Sequence, residues 1–227
     1  MLEAVLLDWG ETLVHFEWDD ELLAQGQHAG LAALGRADEA AAFTERFRQE
    51  LLPSLRHGDD YAHVLRVALS IDDEALDRFL DAEWEVWTPA HALVGSAHAL
   101  LESLRDRGLK TAVVAAAWPE PPRLLRRRLE QLGVAQRADA VVVAEELGVS
   151  LPTLAVFERA LSELGVDAEN AMLVGDRLGA DVQGAADLGM TIVQALWFRA
   201  DDTPAIEPDF MAFTPMDVVN AAARLAR

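Results

Sequence analysis

Leu2-Glu3-Ala4-Val5-Leu6-Leu7-Asp8-Trp9-Gly10-Glu11-Thr12 opens as a short apolar run that stops at a carboxylate and a polar turn. A run of that length, without alternation, suits a strand buried on both faces of a parallel sheet. Far along the chain, Ala171-Met172-Leu173-Val174-Gly175-Asp176 has the same form, again with an aspartate where the apolar run ends. After Pro89 such runs alternate with helical periods. Strands are expected over 111–117, 140–144, 171–174, 191–196 and 209–213, and helices over 96–107, 122–132, 153–164, 181–188 and 216–226. Gly108, Gly133, Gly165 and Gly189 each fall where a helix should close. This alternation predicts an α/β fold, a doubly wound parallel sheet with helices on both faces. Ligands of such sheets sit beyond the carboxyl ends of the strands, where Asp8 and Asp176 both fall.

Between the first strand and Pro89 the apolar period is helical throughout. Four helices are expected, over 20–34, 38–55, 59–69 and 72–87, with Asp38 and Asp72 as N-caps. A wholly helical block placed directly after a first strand reads as an inserted lid. The chain is therefore divided into an α/β core, 1–16 and 89–227, and a helical cap, 17–88.

A length of 227 residues suits a core domain with a modest insertion, and 52% hydrophobic residues suffice for a buried core. The absence of cysteine excludes disulfides, thiolate metal sites and cysteine nucleophiles. Neither a signal peptide nor an apolar span is legible, so a cytoplasmic protein is expected. A formal charge of −20 repels phosphate backbones and anionic lipid, which argues against nucleic acid or membrane as partners and otherwise serves solubility or adaptation to salt. Lys110 is the only lysine. No motif speaks to oligomeric state.

Either strand-end aspartate alone is as readily a helix cap as a ligand. Together, with Asp181 five residues beyond Asp176, they form a set of hard oxygen donors that suits Mg²⁺. Arg177 follows Asp176 and is either a site cation or a surface arginine. Trp9 and Trp118 each stand just past a strand end, where they line a ligand pocket or pack structurally. The six histidines, His15 among them, lack metal-ligand spacing and read as structural or surface residues. Arg126-Arg127-Arg128 reads as a solvated helix face.

Leu6-Leu7-Asp8-Trp9-Gly10-Glu11-Thr12-Leu13 resembles the first motif of the haloacid dehalogenase-like superfamily, usually Asp-x-Asp-Gly-Thr-Leu. The stretch from Ala92-Leu93-Val94-Gly95 to Val114 is similar to the approach to its second motif. Ala171 to Asp176, then Asp181 and Gly184-Ala185-Ala186, is similar to its fourth. The resemblance implies a Rossmann-like core whose helical insert is the family's cap. It implies that Asp8 is a nucleophile forming an aspartyl-phosphate, and that Mg²⁺ is held by Asp8, the Gly10 carbonyl, Asp176 and Asp181. Thr12 matches the motif, and Glu11 adjoins the position of the family's acid, where it either reaches a leaving group or is a solvated loop residue; with Asp8 these are the catalytic candidates.

Three family side chains are replaced. The general acid falls on Gly10, the second-motif Ser or Thr on Ala115, followed by Ala116, and the third-motif Lys on Leu151. The resemblance thus implies a Mg²⁺-dependent hydrolase of a small phosphorylated or otherwise activated metabolite, with weak turnover. The alternative is a non-catalytic relative that binds a ligand or partner in the same place.

Overall fold

The computed structural model describes residues 1–17, 19–55, 60–117, 120–149, 151, 153–177, 182–198 and 206–226. The chain forms two compact units. One comprises Met1–Phe16, Ala92–Ala116 and Leu129–Arg227; the other comprises Glu17–His91 and Ala117–Arg128.

The first unit is built on β1 (Ala4–Asp8), which occupies the centre of a six-stranded sheet. After β2 (Val14–Phe16) come the helices of the second unit, α1 (Asp20–Ala33), α2 (Ala40–Arg46), α3 (Leu52–Leu55), α4 (Tyr61–Leu69) and α5 (Asp73–Trp87). The chain returns through β3 (His91–Leu93), which pairs with β2, a short ribbon that the sequence pattern did not reveal. The remainder is α6 (Ala97–Arg105), β4 (Lys110–Ala115), α7 (Pro122–Gln131), β5 (Ala140–Val143), α8 (Leu154–Leu164), β6 (Ala171–Gly175), α9 (Val182–Asp187), β7 (Thr191–Ala195), β8 (Phe210–Ala212) and α10 (Pro215–Leu225).

The sheet runs β5-β4-β1-β6-β7-β8, every recorded pair parallel. Leu6 lies opposite Ala112 on one side and Leu173 on the other. Successive side chains of a strand point to opposite faces. Ala4, Leu6, Ala112, Val114 and Leu173 accordingly meet Val156, Phe157, Ala160 and Leu161 of α8 in one core. Because both sheet faces are covered, β1 up to Leu7, β4 from Ala112 onward and β6 throughout are apolar, and Asp8 and Asp176 stand where β1 and β6 end. Gly165 (φ 63°) and Gly189 (φ 83°) close α8 and α9 in the left-handed conformation expected of a glycine at a helix end.

The helical unit has a core of its own, including Leu23, Leu31, Phe43, Phe47, Leu65, Phe79 and Trp84. α1 packs closely on α5: a Cβ on Gly30 would lie 2.6 Å from the Phe79 ring. Asp72 caps α5 by accepting the Ala75 N–H (2.8 Å), as its sequence position implied. Asp38 caps no helix among the described residues; it lies inside a single 3₁₀ turn, Ala37–Glu39, which Arg36 stabilises by pairing with Glu39. The arginine triplet is not a solvated face. Arg128 is 1% exposed, is paired with Glu120, and lies with Arg127 over the Trp84 ring, 4.9 and 4.6 Å from its centroid. Together with Arg123, which bonds Asp77 and Asp81, this fastens Ala117–Arg128 onto α5. The segment therefore groups with the helices, although its place between two strands of the sheet implied the core.

Candidate active site

β1 delivers Asp8 and β6 delivers Asp176 to the same edge of the sheet. Leu7 lies opposite Val174, so Asp8 stands beside Gly175, with Asp176 one residue further on. Adjacent strands are about 4.8 Å apart. Asp8 is 5% exposed and Asp176 is 1% exposed, so the sheet withdraws both carboxylates from water. Burying two like charges side by side is costly unless a cation offsets them.

The turn after β1 is tight. Trp9 donates its N–H to Val114 O (3.1 Å) and its carbonyl accepts from Leu13 N and Val14 N, each at 3.0 Å. Glu11 N donates to Val14 O (2.7 Å), and Glu11 takes the left-handed conformation, φ 53°, that usually calls for glycine. Its carboxylate reaches forward along the chain, to the His15 ring (Nδ1, 2.8 Å) and the Phe16 N–H (3.3 Å). Gly10 is outside the left-handed region and a Cβ there would meet nothing within 4 Å. Packing therefore does not require glycine at the position of the family's acid.

Thr12 is fully buried, and its hydroxyl has no hydrogen-bond partner among the described residues. Its carbonyl accepts the Trp197 indole N–H at 2.8 Å. Ala115 ends β4, completely buried, and Ala116 is half-buried beyond it. Leu151 packs on the apolar core beneath the sheet. Lys110 starts β4 opposite Ala4, about 13 Å from the level of Asp8. Its ammonium donates to Leu164 O at the end of α8, so it serves the other edge of the sheet. Arg177 is exposed, its Nε 3.9 Å from Asp176 Oδ1. The Trp9 ring is buried. Trp118 and Asp181 lie outside the described residues.

No three His, Asp or Glu side chains cluster as a metal site among the described residues. The donor set nevertheless fits Mg²⁺. It offers two buried carboxylates on adjacent strand ends and a backbone carbonyl at Gly10, all hard oxygens of the kind this ion takes.

Sequence reasoning did not find Trp197 and Phe198. They follow β7, and Phe198 stacks on His15 with ring centroids 5.1 Å apart and planes 22° apart. Two aromatics directly after a strand end were the available signal. The link between Glu11 and His15 had only their four-residue spacing to betray it.

Comparison with known proteins places this geometry in a family. Residues 2–189 match the family of haloacid dehalogenase-like hydrolases. A phosphoserine phosphatase of Thermus thermophilus is 30% identical over 211 residues, covering 91% of this chain and 75% of that protein. A glyceraldehyde 3-phosphate phosphatase of Methanopyrus kandleri is 34% identical over 136 residues, covering 56% of this chain and 55% of that protein. The crystal structure of a HAD phosphatase from Thermococcus onnurineus is 25% identical, covers 97% of each chain and superposes with a TM-score of 0.67. The strand-end aspartates, the six-stranded parallel sheet and these matches agree: the chain belongs to the haloacid dehalogenase-like hydrolase family.

Proposed function

We propose that this protein hydrolyses a small phosphorylated or otherwise activated metabolite, with Asp8 as nucleophile and Mg²⁺ as cofactor, and that it turns over slowly. One observation carries the reading: Asp8 and Asp176 are buried together at the carboxyl ends of adjacent parallel strands. The phosphatases among its relatives support a phosphate ester as the substrate class. The residues that would hold the ion are Asp8, Asp176 and the Gly10 carbonyl, with Asp181. When bound, Mg²⁺ offsets the charge of the carboxylates and of the phosphoryl group brought to them.

An Asp8 oxygen forms a bond to phosphorus as the ester P–O bond breaks, giving an acyl phosphate and an alcohol. Water then attacks phosphorus and frees Asp8. The slowness follows from what the chain lacks. Gly10 offers no proton to the leaving oxygen, a function worth about 10²–10⁴-fold. Ala115 has no hydroxyl and Leu151 no ammonium for the phosphoryl oxygens, and one such donor is worth on the order of 10²–10³-fold. These factors do not multiply independently.

The apolar packing of Ala115 and Leu151 favours a second reading, a non-catalytic relative that holds a ligand at the same strand ends. A phosphate-release screen over phosphorylated metabolites, with Mg²⁺ or with EDTA and with Asp8→Asn as the blank, separates the two. Slow release lost with Asp8→Asn and with EDTA supports the hydrolase. Release no faster than the blank, with ligands still binding to the wild type, supports the second reading.

A further inference from the structure

If Asp8 takes a phosphoryl group from an alkyl ester, the departing oxygen needs a proton that Gly10 does not carry. The α/β unit holds a candidate donor in the same turn. Glu11 is left-handed without being glycine, a strained conformation most often retained where a side chain must be held in one place. The side chain so held bonds His15 Nδ1 at 2.8 Å. His15 is itself clamped from another direction, its ring stacked on Phe198. The Phe198 loop is anchored in turn by the bond from Trp197 Nε1 to Thr12 O.

The topology places these groups. β7 is separated from β1 by β6, so the segment after β7 must pass the end of β6, which carries Asp176, to reach the turn after β1. His15 therefore stands at the carboxyl edge of the sheet, the edge of Asp8 and Asp176. A carboxylate on Nδ1 fixes the ring and leaves Nε2 as the working nitrogen, and among the described residues Nε2 makes no hydrogen bond. The imidazole is 41% exposed, so substrate and water can reach it.

We propose that the Glu11–His15 pair performs the proton transfer that Gly10 cannot, with His15 Nε2 as donor and Glu11 as the positioning residue. As the P–O bond of the ester breaks, its electron pair goes to the leaving oxygen, which takes the proton from Nε2. Neutral Nε2 then accepts a proton from the water that attacks phosphorus, the bond to Asp8 breaks, and the imidazolium is restored. The proposal rests on the hydrolase reading. It also explains why a carboxylate is kept one residue away from the family's position, in a conformation that does not suit it.

The test compares two esters, p-nitrophenyl phosphate, whose leaving group needs no proton, and glycerol 3-phosphate, whose leaving group does. His15→Gln should lower kcat on glycerol 3-phosphate by on the order of 10²-fold, with at least tenfold less effect on the aryl ester. Glu11→Gln should give a smaller loss with the same selectivity, and it serves as the second variant should His15→Gln fail to fold. Circular dichroism and thermal unfolding establish that each variant is folded. Equal losses on both esters, no loss on either, or a wild type that cleaves only the aryl ester would overturn the proposal while leaving the hydrolase standing. Absence of Asp8-dependent turnover on both esters would remove the hydrolase reading and this proposal with it.

Discussion

Two buried titratable groups in the helical unit oppose each other, and removing either should expose the other. Glu83 on α5 is 4% exposed; Tyr61 donates to its Oε1 at 2.6 Å, and a Cβ on Gly26 of α1 would lie 3.1 Å from its Cγ. Burial pushes the Glu83 carboxyl up to about 7, the Tyr61 bond opposing and the Glu120 charge reinforcing. His91, whose Nδ1 lies 3.0 Å from Trp87 O, is pushed down to about 4 by burial and by the Arg128 charge. The raised Glu83 stabilises the fold fully below its ordinary value of 4.5, and that stability is lost as pH rises through about 7. The depressed His91 stabilises the fold fully above 6.5, and that stability is lost as pH falls toward 4. Each span corresponds to about 3 kcal/mol, with slopes near 1.4 kcal/mol per pH unit and opposite signs. Between about pH 5 and 6 the two nearly cancel. Urea unfolding followed by tryptophan fluorescence at several pH values should therefore show Glu83→Gln losing stability toward acid relative to wild type. His91→Gln should lose it toward neutral pH. Exposed carboxylates contribute the same background to all three proteins. Curves for the three that stay parallel from pH 4.5 to 7 would refute the reasoning.

Gly30→Ala would set a methyl group 2.6 Å from the Phe79 ring, and the overlap should cost about 1–3 kcal/mol of stability by chemical denaturation despite alanine's better helix propensity. Gly10→Asp meets no such obstacle and should unfold at the wild-type temperature, and added to His15→Gln it should raise turnover of glycerol 3-phosphate by tenfold or more; a destabilised variant would show that the turn requires glycine after all. Mg²⁺ at 100 times its Kd should stabilise the wild type by about 2.7 kcal/mol in thermal unfolding, and Asp8→Asn and Asp176→Asn should lose most of that gain. An equal gain in all three would place the ion elsewhere.

The sheet was legible because a strand buried on both faces must be apolar from end to end, and Leu6 or Leu173 has no alternative environment. For the same reason the apolar runs alone locate the two aspartates, which mark where the chain leaves the sheet. What was hidden depends on neighbours distant in sequence. β2 and β3 are three residues each and pair across the whole helical insertion, too short to carry a period. Asp38 had the residue type of a cap, but Arg36 and Glu39 close that turn instead. Arg128 reads as solvated in any helical projection, because its burial depends on Trp84 and Glu120, which lie on other elements. His15 looked ordinary because both groups that hold its ring are tertiary or turn contacts, Phe198 and a left-handed Glu11.

The most direct test of Asp8 as a nucleophile is chemical. Wild-type protein mixed with excess p-nitrophenyl phosphate and Mg²⁺ is quenched in acid at successive times, and the peptide carrying Asp8 is examined by mass spectrometry. A phosphoryl adduct on Asp8 that forms within one turnover, decays as phosphate is released, and is absent with EDTA is the expected result. Phosphate release at the wild-type rate from Asp8→Asn, or steady release with no adduct on Asp8 at any time, would contradict it.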